Sequence, residues 1–325
     1  MKETILFGQK KTVTFDNENV SGINFKYVTT DTALNAVFDK AENGDGHAAL
    51  DYSVFEKNRL NIAVYQGDNK AHVIFNGTFK EFLDYHFASD RLRLERLTAY
   101  GYRENENNAQ QISYAFKFDF GTVYNLGRGK RIKVEFEFDA LANVTKPNST
   151  LDNTNAYVEV DSIEGIGLQR FSPEIVVIDL ENTRKDHTID LGQNVTKIVY
   201  IPSTDETIHS LPFDIDEVAI DSDKHNTRLE TPDFVNSFYG SVEPDPNYYR
   251  DALCLLQSNV PLHDVTINLN HDNALPDRKL IVCYSVVTAS ILRKLAEKQE
   301  KHNMANQRKA LSNPEVEASF QQKNR

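Results

Sequence analysis

Apolar and polar residues alternate with a period of two along much of this chain, which is the pattern of a β-strand with one buried face. The clearest such face carries Ile112, Tyr114, Phe116, Phe118 and Phe120. Residues 132–138 repeat the alternation, with Lys and Glu on the polar face. Residues 280–286 alternate as well, but their second face is also apolar. We predict a strand in each of these three segments.

Shorter segments carry weaker strand signals, and turn-rich sequences separate them. They are residues 13–15, 23–27, 60–65, 73–75, 91–97, 157–160, 175–180, 197–201, 218–220 and 265–269. Helical spacing is scarce before residue 288: it predicts short helices that begin at Phe79 and at Phe234, and a third over residues 250–257. The predicted fold class is therefore all-β, built as sandwiches or barrels.

The two halves of the chain have a similar order of predicted elements. Each runs from a short strand (residues 73–75 or 218–220) through an aromatic helix to a strongly alternating last strand, which begins at Ile132 or Leu280. We predict two tandem eight-stranded jelly-roll barrels, with short helices and a C-terminal helix. The predicted limits are residues 1–145 and 173–288 for the jelly rolls, 146–172 for a linker and 289–325 for a basic tail. Chance similarity between two β domains is the alternative explanation.

Length and composition agree with two packed domains. The chain has 325 residues, of which 40% are hydrophobic and 26% charged, and this balance excludes wholesale disorder. No apolar run approaches the roughly 18 residues of a membrane-spanning helix. Cys254 and Cys283 cannot form a disulfide framework, so we expect buried thiols in a protein made in a reducing cytosol. Trp is absent, which counts mildly against a carbohydrate-binding cleft.

Charge is distributed unevenly along the chain. The net charge of −12 disfavours a general nucleic-acid-binding protein. Residues 289–325, however, carry 8 Lys and Arg against 4 Asp and Glu. Residues 289–311 are predicted as a largely polar helix that ends before Pro314. Such a helix is either a solvated terminus or an arm that contacts an anionic surface.

No motif in the sequence predicts catalysis. The nine His residues lack the spacings of common metal sites, and no nucleophile elbow occurs. Residues 126–130, Leu-Gly-Arg-Gly-Lys, lack the spacing of a phosphate-binding loop, so we interpret them as a β-turn. Carboxylates cluster at Asp214, Asp216, Glu217, Asp221 and Asp223. We interpret this cluster as a solvated acidic loop, with a calcium site as the alternative. Catalytic residues, metal ligands and cofactors are therefore predicted to be none.

These features together resemble the double jelly-roll major capsid proteins of tailless icosahedral viruses with internal membranes. The features shared are two β halves in tandem, an aromatic helix late in each half, long polar loops and a basic terminal arm. The resemblance extends over roughly residues 12–310 and rests on layout, since no short motif defines the family.

The resemblance implies a function and a set of partners. It implies a homotrimer that forms a pseudo-hexameric capsomer in the virion, with loops outside and chain termini near the membrane. The implied partners are neighbouring capsomers, viral membrane lipids and minor capsid or penton proteins, without sequence-specific nucleic-acid binding. Six residues become candidates for contact with lipid headgroups or neighbouring capsomers: Arg293, Lys294, Lys298, Lys301, Arg308 and Lys309. The acidic loops around residues 214–223 and 244–246 become tower or trimer-contact candidates.

Two other functions stay open at this point. A spike or adhesin-type β-sandwich would bind a ligand through exposed aromatic residues. A β-sandwich enzyme acting on glycans would need two carboxylates about 5–10 Å apart in a cleft.

Overall fold

A computed structural model describes residues 2–6, 8–16, 18–31, 58–88, 110–138, 151–167, 169–203, 215–224, 226–230, 252–271 and 274–287, together with residues 297, 300, 301, 303 and 304. The first eight strands are β1 (Lys2–Leu6), β2 (Lys10–Asp16), β3 (Asn19–Asp31), β4 (Arg59–Gln66), β5 (Asn69–Thr78), β6 (Gln110–Asn125), β7 (Lys130–Glu137) and β8 (Leu151–Glu164). One helix, α1 (Phe79–Phe87), follows β5. The next eight strands are β9 (Ser172–Asp179), β10 (Asp186–Gly192), β11 (Val195–Ile201), β12 (Ile215–Asp221), β13 (Asn226–Glu230), β14 (Leu253–Leu262), β15 (Val265–His271) and β16 (Lys279–Val286).

These strands form three sheets that pack as two sandwiches. One sheet has eight strands in the order β14-β11-β16-β9-β5-β4-β7-β2. The four-stranded sheet β1-β8-β3-β6 belongs to the first sandwich, and the four-stranded sheet β10-β15-β12-β13 belongs to the second. Within the eight-stranded sheet the sandwiches meet at β5 and β9, which pair in parallel through Phe75 and Ile175.

The second sandwich has the strand order of a jelly roll. Successive strands β9 and β10, β11 and β12 lie in opposite sheets, and the last strand, β16, inserts between β9 and β11. Strand β15 inserts in the same way between β10 and β12. These insertions wrap two Greek keys around one core, which is the defining arrangement of a jelly roll.

The first sandwich repeats this order in the strands that correspond. Strand β7 lies between β2 and β4, as β16 lies between β9 and β11. Strand β6 pairs with β3, as β15 pairs with β10. The first sandwich differs on its other side, where β8 and β1 extend the sheet beyond β3. The two halves therefore share a topology, and the fold class predicted from the alternation, an all-β tandem of jelly rolls, is confirmed as two sandwiches.

The two cores lie on opposite faces of the eight-stranded sheet. In β16, Leu280 and Val282 belong to the second core, whereas Ile281 and Cys283 belong to the first. Strand β11 divides its residues in the same way, with Tyr200 in the second core and Val199 in the first. Because successive side chains of a strand point to opposite faces, each sandwich uses a different side of these strands. This arrangement explains why both faces of residues 280–286 are apolar.

Helix α1 covers the first-core side of the eight-stranded sheet. Thr78 caps its N-terminus in a capping box, in which the Glu81 backbone N–H donates to the Thr78 Oγ1 (3.1 Å) and the Thr78 N–H donates to the Glu81 carboxylate (2.8 Å). Phe79 and Phe82 of the helix are buried and pack edge-on against Phe25 of β3. The helix predicted to begin at Phe79 is therefore confirmed.

Several sequence-based predictions are wrong. Residues 250–257 were predicted as a helix, but strand β14 begins at Leu253. The prediction failed because the first residues of this strand are all buried, and an unbroken apolar run does not distinguish a strand from a helix. The predicted linker, residues 146–172, contains β8, which pairs with both β1 and β3. Strands over residues 73–75 and 218–220 are not equivalent, since β5 lies in the eight-stranded sheet and β12 in a four-stranded one. The strand predicted at residues 91–97 and the helix at Phe234 lie outside the described residues.

Candidate assembly surfaces

The strand directions give the molecule two different ends. Six connections at one end are short: residues 17–18, 67–68, 126–129, 193–194, 222–225 and 263–264. Strands β8 and β16 also end here, β8 just before residues 165–171, which join the sandwiches. We call this the tight-turn end. Strands β3, β7, β11 and β13 end at the opposite end, and the connections that follow them in the sequence are long: residues 32–58, 138–150, 202–214 and 231–252. We call this the long-connection end.

Hydrogen bonds hold the turns of the first sandwich together at the tight-turn end. Gly67 N–H donates to the Gly129 carbonyl (2.8 Å), and the Leu126 N–H donates to the Glu18 carbonyl (2.8 Å). Arg128 and Gly129 both have positive φ (53° and 81°), as a two-residue type I′ hairpin turn requires. The sequence Leu-Gly-Arg-Gly-Lys is thus a β-turn, as predicted, and hydrogen bonds connect it to neighbouring turns at this end.

The two long connections of the second half are acidic in sequence. Residues 202–214 and 231–252 carry seven Asp and Glu against a single Arg. The basic segment 289–325 follows β16, which ends at Val286 at the tight-turn end. The chain therefore separates its acidic connections from the start of its basic tail along the strand direction.

Polar contacts between α1 and the second sandwich join the two halves. Lys279 of β16 contacts the buried Glu81 carboxylate (Nζ to Oε1, 2.6 Å). Lys197 of β11 donates to the Tyr85 carbonyl (2.6 Å), and its ammonium lies 4.5 Å from the centre of the Tyr85 ring. Burial lowers the pKa of Lys197 and raises the pKa of Tyr85. Burial by itself lowers the pKa of Lys279, but the hydrogen bond to the Glu81 carboxylate and the negative charge of that group raise it by more, so the pKa of Lys279 is raised.

The outer face of the sheet β1-β8-β3-β6 is lined by lysines and carboxylates. One row across the four strands reads Lys2, Asp161, Asn24 and Lys117, and the next reads Thr4, Glu159, Lys26 and Ala115. A shallow groove of about 440 Å³ lies over these rows. Lys2 forms an ion pair with Glu159 (2.8 Å). Lys26 and Lys117 are exposed, and neither has an ion pair within the described part of the chain.

The outer face of the sheet β10-β15-β12-β13 is acidic. Exposed Asp186 and Asp190 lie on β10, and exposed Asp221 lies on β12. Asparagine and threonine side chains of β15 lie between these two strands. Glu217 is paired with Arg228 (2.6 Å), so this carboxylate is neutralised locally. None of the three aspartates forms an ion pair in the described ranges.

Two histidines are buried near the long-connection end of the second sandwich. His187 and His271 pack edge-to-face with ring centres 5.4 Å apart, and the buried Nε2 atoms of both have no hydrogen-bond partner among the described residues. His271 Nδ1 donates to the Lys185 carbonyl (2.7 Å). Burial, with Arg278 close by, lowers the pKa of His187, and burial lowers the pKa of His271 to about 4. Both rings are therefore neutral at physiological pH.

Most of the basic residues predicted to contact lipid or neighbouring capsomers lie outside the described residues: Arg293, Lys294, Lys298, Arg308 and Lys309. Lys301 is described, is helical and is exposed. Glu297, Glu300 and Met304 are helical and exposed too, which agrees with a polar helix in this region. Among the described residues, no helix is long and apolar enough to cross a membrane.

The acidic cluster is arranged differently from the loop predicted from the sequence. Asp216, Glu217 and Asp221 lie on strand β12, while Asp214 is outside the described residues. Asp223 accepts a hydrogen bond from the His263 N–H (2.9 Å) and so fastens a turn. In the described part of the chain, no three His, Cys, Asp or Glu side chains lie close enough to share a metal ion. Cys254 and Cys283 are buried thiols that form no disulfide with each other, as expected.

Sequence reasoning did not identify the two outer sheet faces. Lys26, Lys117, Asp186 and Asp190 are scattered in the sequence and come together only through strand pairing. The available signal was alternation: on β10, His187, Ile189 and Leu191 point inward and leave Asp186 and Asp190 outward. No strand was predicted over these residues.

The topology thus defines an all-β protein of two tandem jelly-roll sandwiches. No known protein family profile matches the chain, and no curated protein matches it in sequence. Solved structures give weak matches. The structure of Sulfolobus Turreted Icosahedral Virus matches with 9% identity and a TM-score of 0.48, covering 93% of this chain and 96% of that one. The major capsid protein P2 from Bacteriophage PM2 matches with 9% identity and a TM-score of 0.42, covering 89% and 99%. At these values the likeness assigns neither activity nor partner.

Proposed function

We propose that this chain is the major capsid protein of an icosahedral virus and that it acts as a structural subunit without catalysis. The supporting observation is the union of two jelly-roll sandwiches through one eight-stranded sheet, with different ends. A subunit of a symmetric shell needs large side faces for neighbours and distinct inner and outer ends. Here the four-stranded sheets supply the side faces, and the tight-turn and long-connection ends supply the polarity.

The sandwiches suit repeated lateral packing. Each presents the broad, charged outer face of a four-stranded sheet instead of an apolar one. Lysine and aspartate on such faces oppose uncontrolled strand-to-strand association. At edge strand β1, Lys11 donates to the Thr4 carbonyl (2.8 Å) and pairs with Glu3 (2.9 Å), so this edge is partly blocked.

In more detail, we propose that three copies of the chain form a homotrimer and that this trimer is a pseudo-hexameric capsomer of the virion shell. The shell encloses an internal membrane. The chain is made in the host cytoplasm. The tight-turn end, from which the basic segment leaves, faces the membrane, and the long connections face outward. Neighbouring capsomers, membrane lipids and minor capsid or penton proteins are the proposed partners. Within the family, size and Asn-rich loops most resemble the capsid protein of the lipid-containing Flavobacterium phage FLiP. The proposed domains are residues 1–145 together with β8 (Leu151–Glu164) for the first sandwich, and residues 173–288 for the second.

The mass of the purified protein in solution tests the capsid proposal. Light scattering coupled to size-exclusion chromatography is expected to give three times the chain mass of 37.0 kDa. A monomer that persists at micromolar concentration would contradict the proposal.

Liposome flotation tests the role proposed for residues 289–325. The full chain is expected to float with anionic liposomes, and a chain that ends at Thr288 is expected to keep its fold and lose this binding. Each Lys or Arg near an anionic bilayer contributes about 1 kcal/mol. A full-length variant with Arg293, Lys294, Lys298 and Lys301 changed to Gln shows whether the positive charge of the segment or its mere presence is responsible for liposome binding. Equal flotation of all three proteins would refute lipid contact by this segment.

A further inference from the structure

We infer that acid opens the second sandwich locally: proton uptake by His187 and His271 releases strand β10 and the connection 180–185 before the remainder of the chain unfolds. We call these two residues the histidine pair. Their rings lie edge-to-face with centres 5.4 Å apart, near the long-connection end of the second sandwich. The inference goes beyond the proposed capsid role and does not depend on it.

The connection 180–185, which joins β9 to β10, is held by buried side chains behind it. The fully buried Arg278 donates through Nη2 to the Arg184 carbonyl (2.8 Å). His271 donates twice to the Lys185 carbonyl, from its ring Nδ1 (2.7 Å) and from its backbone N–H (3.1 Å). The other ring of the histidine pair is hydrogen-bonded to the Arg184 backbone. The histidine pair and one arginine therefore hold this short segment in place together.

The bond to the Lys185 carbonyl determines where a further proton can bind. A carbonyl only accepts, so His271 carries its hydrogen on Nδ1 and leaves Nε2 as an acceptor. The Nε2 atoms of both rings are buried and have no hydrogen-bond partner among the described residues. A proton that binds there creates a buried charge without an acceptor, and this is costly unless the site opens to water.

The surroundings of the histidine pair favour its neutral form. The buried guanidinium of Arg278, at the start of β16, opposes a positive charge on either ring, and Arg184 of the connection acts in the same direction. Glu181 and Asp186 act in the opposite direction, but both are exposed, and Glu181 is paired with Arg184 (2.9 Å). Tyr200 of β11 places an uncharged ring against the pair. Burial is the largest influence, and the pKa values of both rings are lowered.

Strand β10 can detach without dismantling the whole second core. It lies at the edge of its sheet, and in the described part of the chain it pairs only with β15. Its register also shifts between Asp190 and Gly192, so this ladder is irregular. Strand β16, in contrast, pairs with β9 on one side and with β11 on the other. Local opening of an edge element needs less free energy than global unfolding, so proton uptake acts first on β10.

Native-state hydrogen exchange at pH 7 and pH 5 tests this inference, with each rate corrected for the intrinsic pH dependence of amide exchange. The pKa of His271 is about 4 in the closed segment against 6.5 as its ordinary value. The open state therefore binds more protons, and this ring alone raises the opening constant roughly 20-fold between pH 7 and pH 5. We expect that loss of protection in the amides that link β10 to β15, and unchanged protection in β4 and β7 of the first sandwich.

A variant and a matched control assign the effect to the histidine pair. His271→Asn keeps a side-chain N–H donor for the Lys185 carbonyl and does not titrate in this range, so a smaller acid response is expected. The control is His263→Asn, which changes a partly buried histidine at the tight-turn end of the same sandwich. This control is expected to keep the full response of the wild-type chain.

The contradicting outcomes are specific. Constant protection of β10 from pH 7 to pH 5 would overturn the inference, and so would an equal loss in β4 and β7, which indicates global unfolding. An unchanged acid response in His271→Asn would also overturn it. If this variant fails to fold, NMR of the wild-type imidazole signals replaces it. Proton uptake by the histidine pair is then expected to coincide with the loss of β10 protection, and uptake with β10 still protected would contradict the inference. None of these readouts measures self-association, so a negative result leaves the capsid proposal standing.

Discussion

The first and second sandwiches share a strand order but fill their cores with different residues. The first core is aromatic, with Phe25, Phe75, Phe82, Phe118 and Phe136 all buried, and the ring centres of Phe82 and Phe118 are 4.7 Å apart. The second core is almost entirely aliphatic, with Leu, Ile and Val around Tyr200. The jelly-roll order therefore depends on where apolar side chains point and not on which apolar side chains they are.

The difference has a structural cause in helix α1. The helix lies between the sheet β1-β8-β3-β6 and the eight-stranded sheet, where Phe79 and Phe82 contribute rings to the first core. Large rings are suited to the wider space that a helix creates, whereas two sheets in direct contact interdigitate smaller side chains. The helix also covers the first-core side of β11 and β16, so it belongs to both halves.

The largest expected effect comes from removing an aromatic ring of the first core. Phe82→Ala is expected to lower the free energy of unfolding by about 3–5 kcal/mol, since Phe82 is fully buried and packs against the rings of four other phenylalanines, Phe25, Phe75, Phe79 and Phe118. Ile267→Val in the aliphatic core is the conservative comparison, with an expected cost of about 1 kcal/mol. Urea unfolding measures both, and equal costs would contradict the importance assigned to the aromatic cluster.

The next effect is a pH dependence located in the second sandwich. The pKa of His271 is about 4 in the folded chain against 6.5 as its ordinary value, so the unfolded chain binds more protons between these values. Stability is therefore complete above pH 6.5 and decreases as the pH falls to 4, by up to about 3 kcal/mol. His271→Leu is expected to reduce this loss. Urea unfolding of the wild-type chain and the variant at pH 6.5 and pH 4 measures how much unfolding free energy each loses. Equal losses in the two proteins would refute the role assigned to His271.

A smaller effect is expected at the cap of the shared helix. Thr78→Ala removes the side chain that accepts the Glu81 N–H and is expected to cost about 1 kcal/mol. Thr78→Ser keeps a hydroxyl at this position and is the control. Hydrogen exchange of the amides in α1 measures the change, with faster exchange expected in the alanine variant. Unchanged exchange would show that packing alone holds the helix.

The smallest effect is expected on the outer face of the second sandwich. Arg228→Ala removes an exposed ion pair with Glu217, and exposed pairs of this kind contribute little, so we expect a change within about 0.5 kcal/mol. Thermal unfolding measures it. A loss above about 2 kcal/mol would mean that this face is part of the folded core and not a free surface.

The strands that were easiest to predict from the sequence are those with one buried face and one solvent-exposed face. Strands β6 and β7 alternate clearly between apolar and polar residues, and both form where expected. Strand β14 was mistaken for a helix, because Leu253, Cys254 and Leu255 are all buried and leave no period of two. Strand β1 and strand β13 are only five residues long, too short for periodicity to identify.

The candidate surfaces were beyond sequence reasoning for a different reason. Lys26 and Lys117 are neighbours only because β3 pairs with β6, and Asp190 and Asp221 share a face only because β15 inserts between β10 and β12. Such long-range register depends on the whole topology. The acidic cluster at residues 214–223, in contrast, was predicted as one loop, but strand β12 carries Asp221 to the tight-turn end, away from the connection that precedes this strand.

A density map of the purified protein at low resolution tests the central claim most directly, because it images the paired sandwiches and their assembly together. The account predicts particles of three chains in which six β-sandwiches stand side by side within a pseudo-hexagonal outline. A particle with a single compact core per chain, or one in which the chain remains alone, would contradict it.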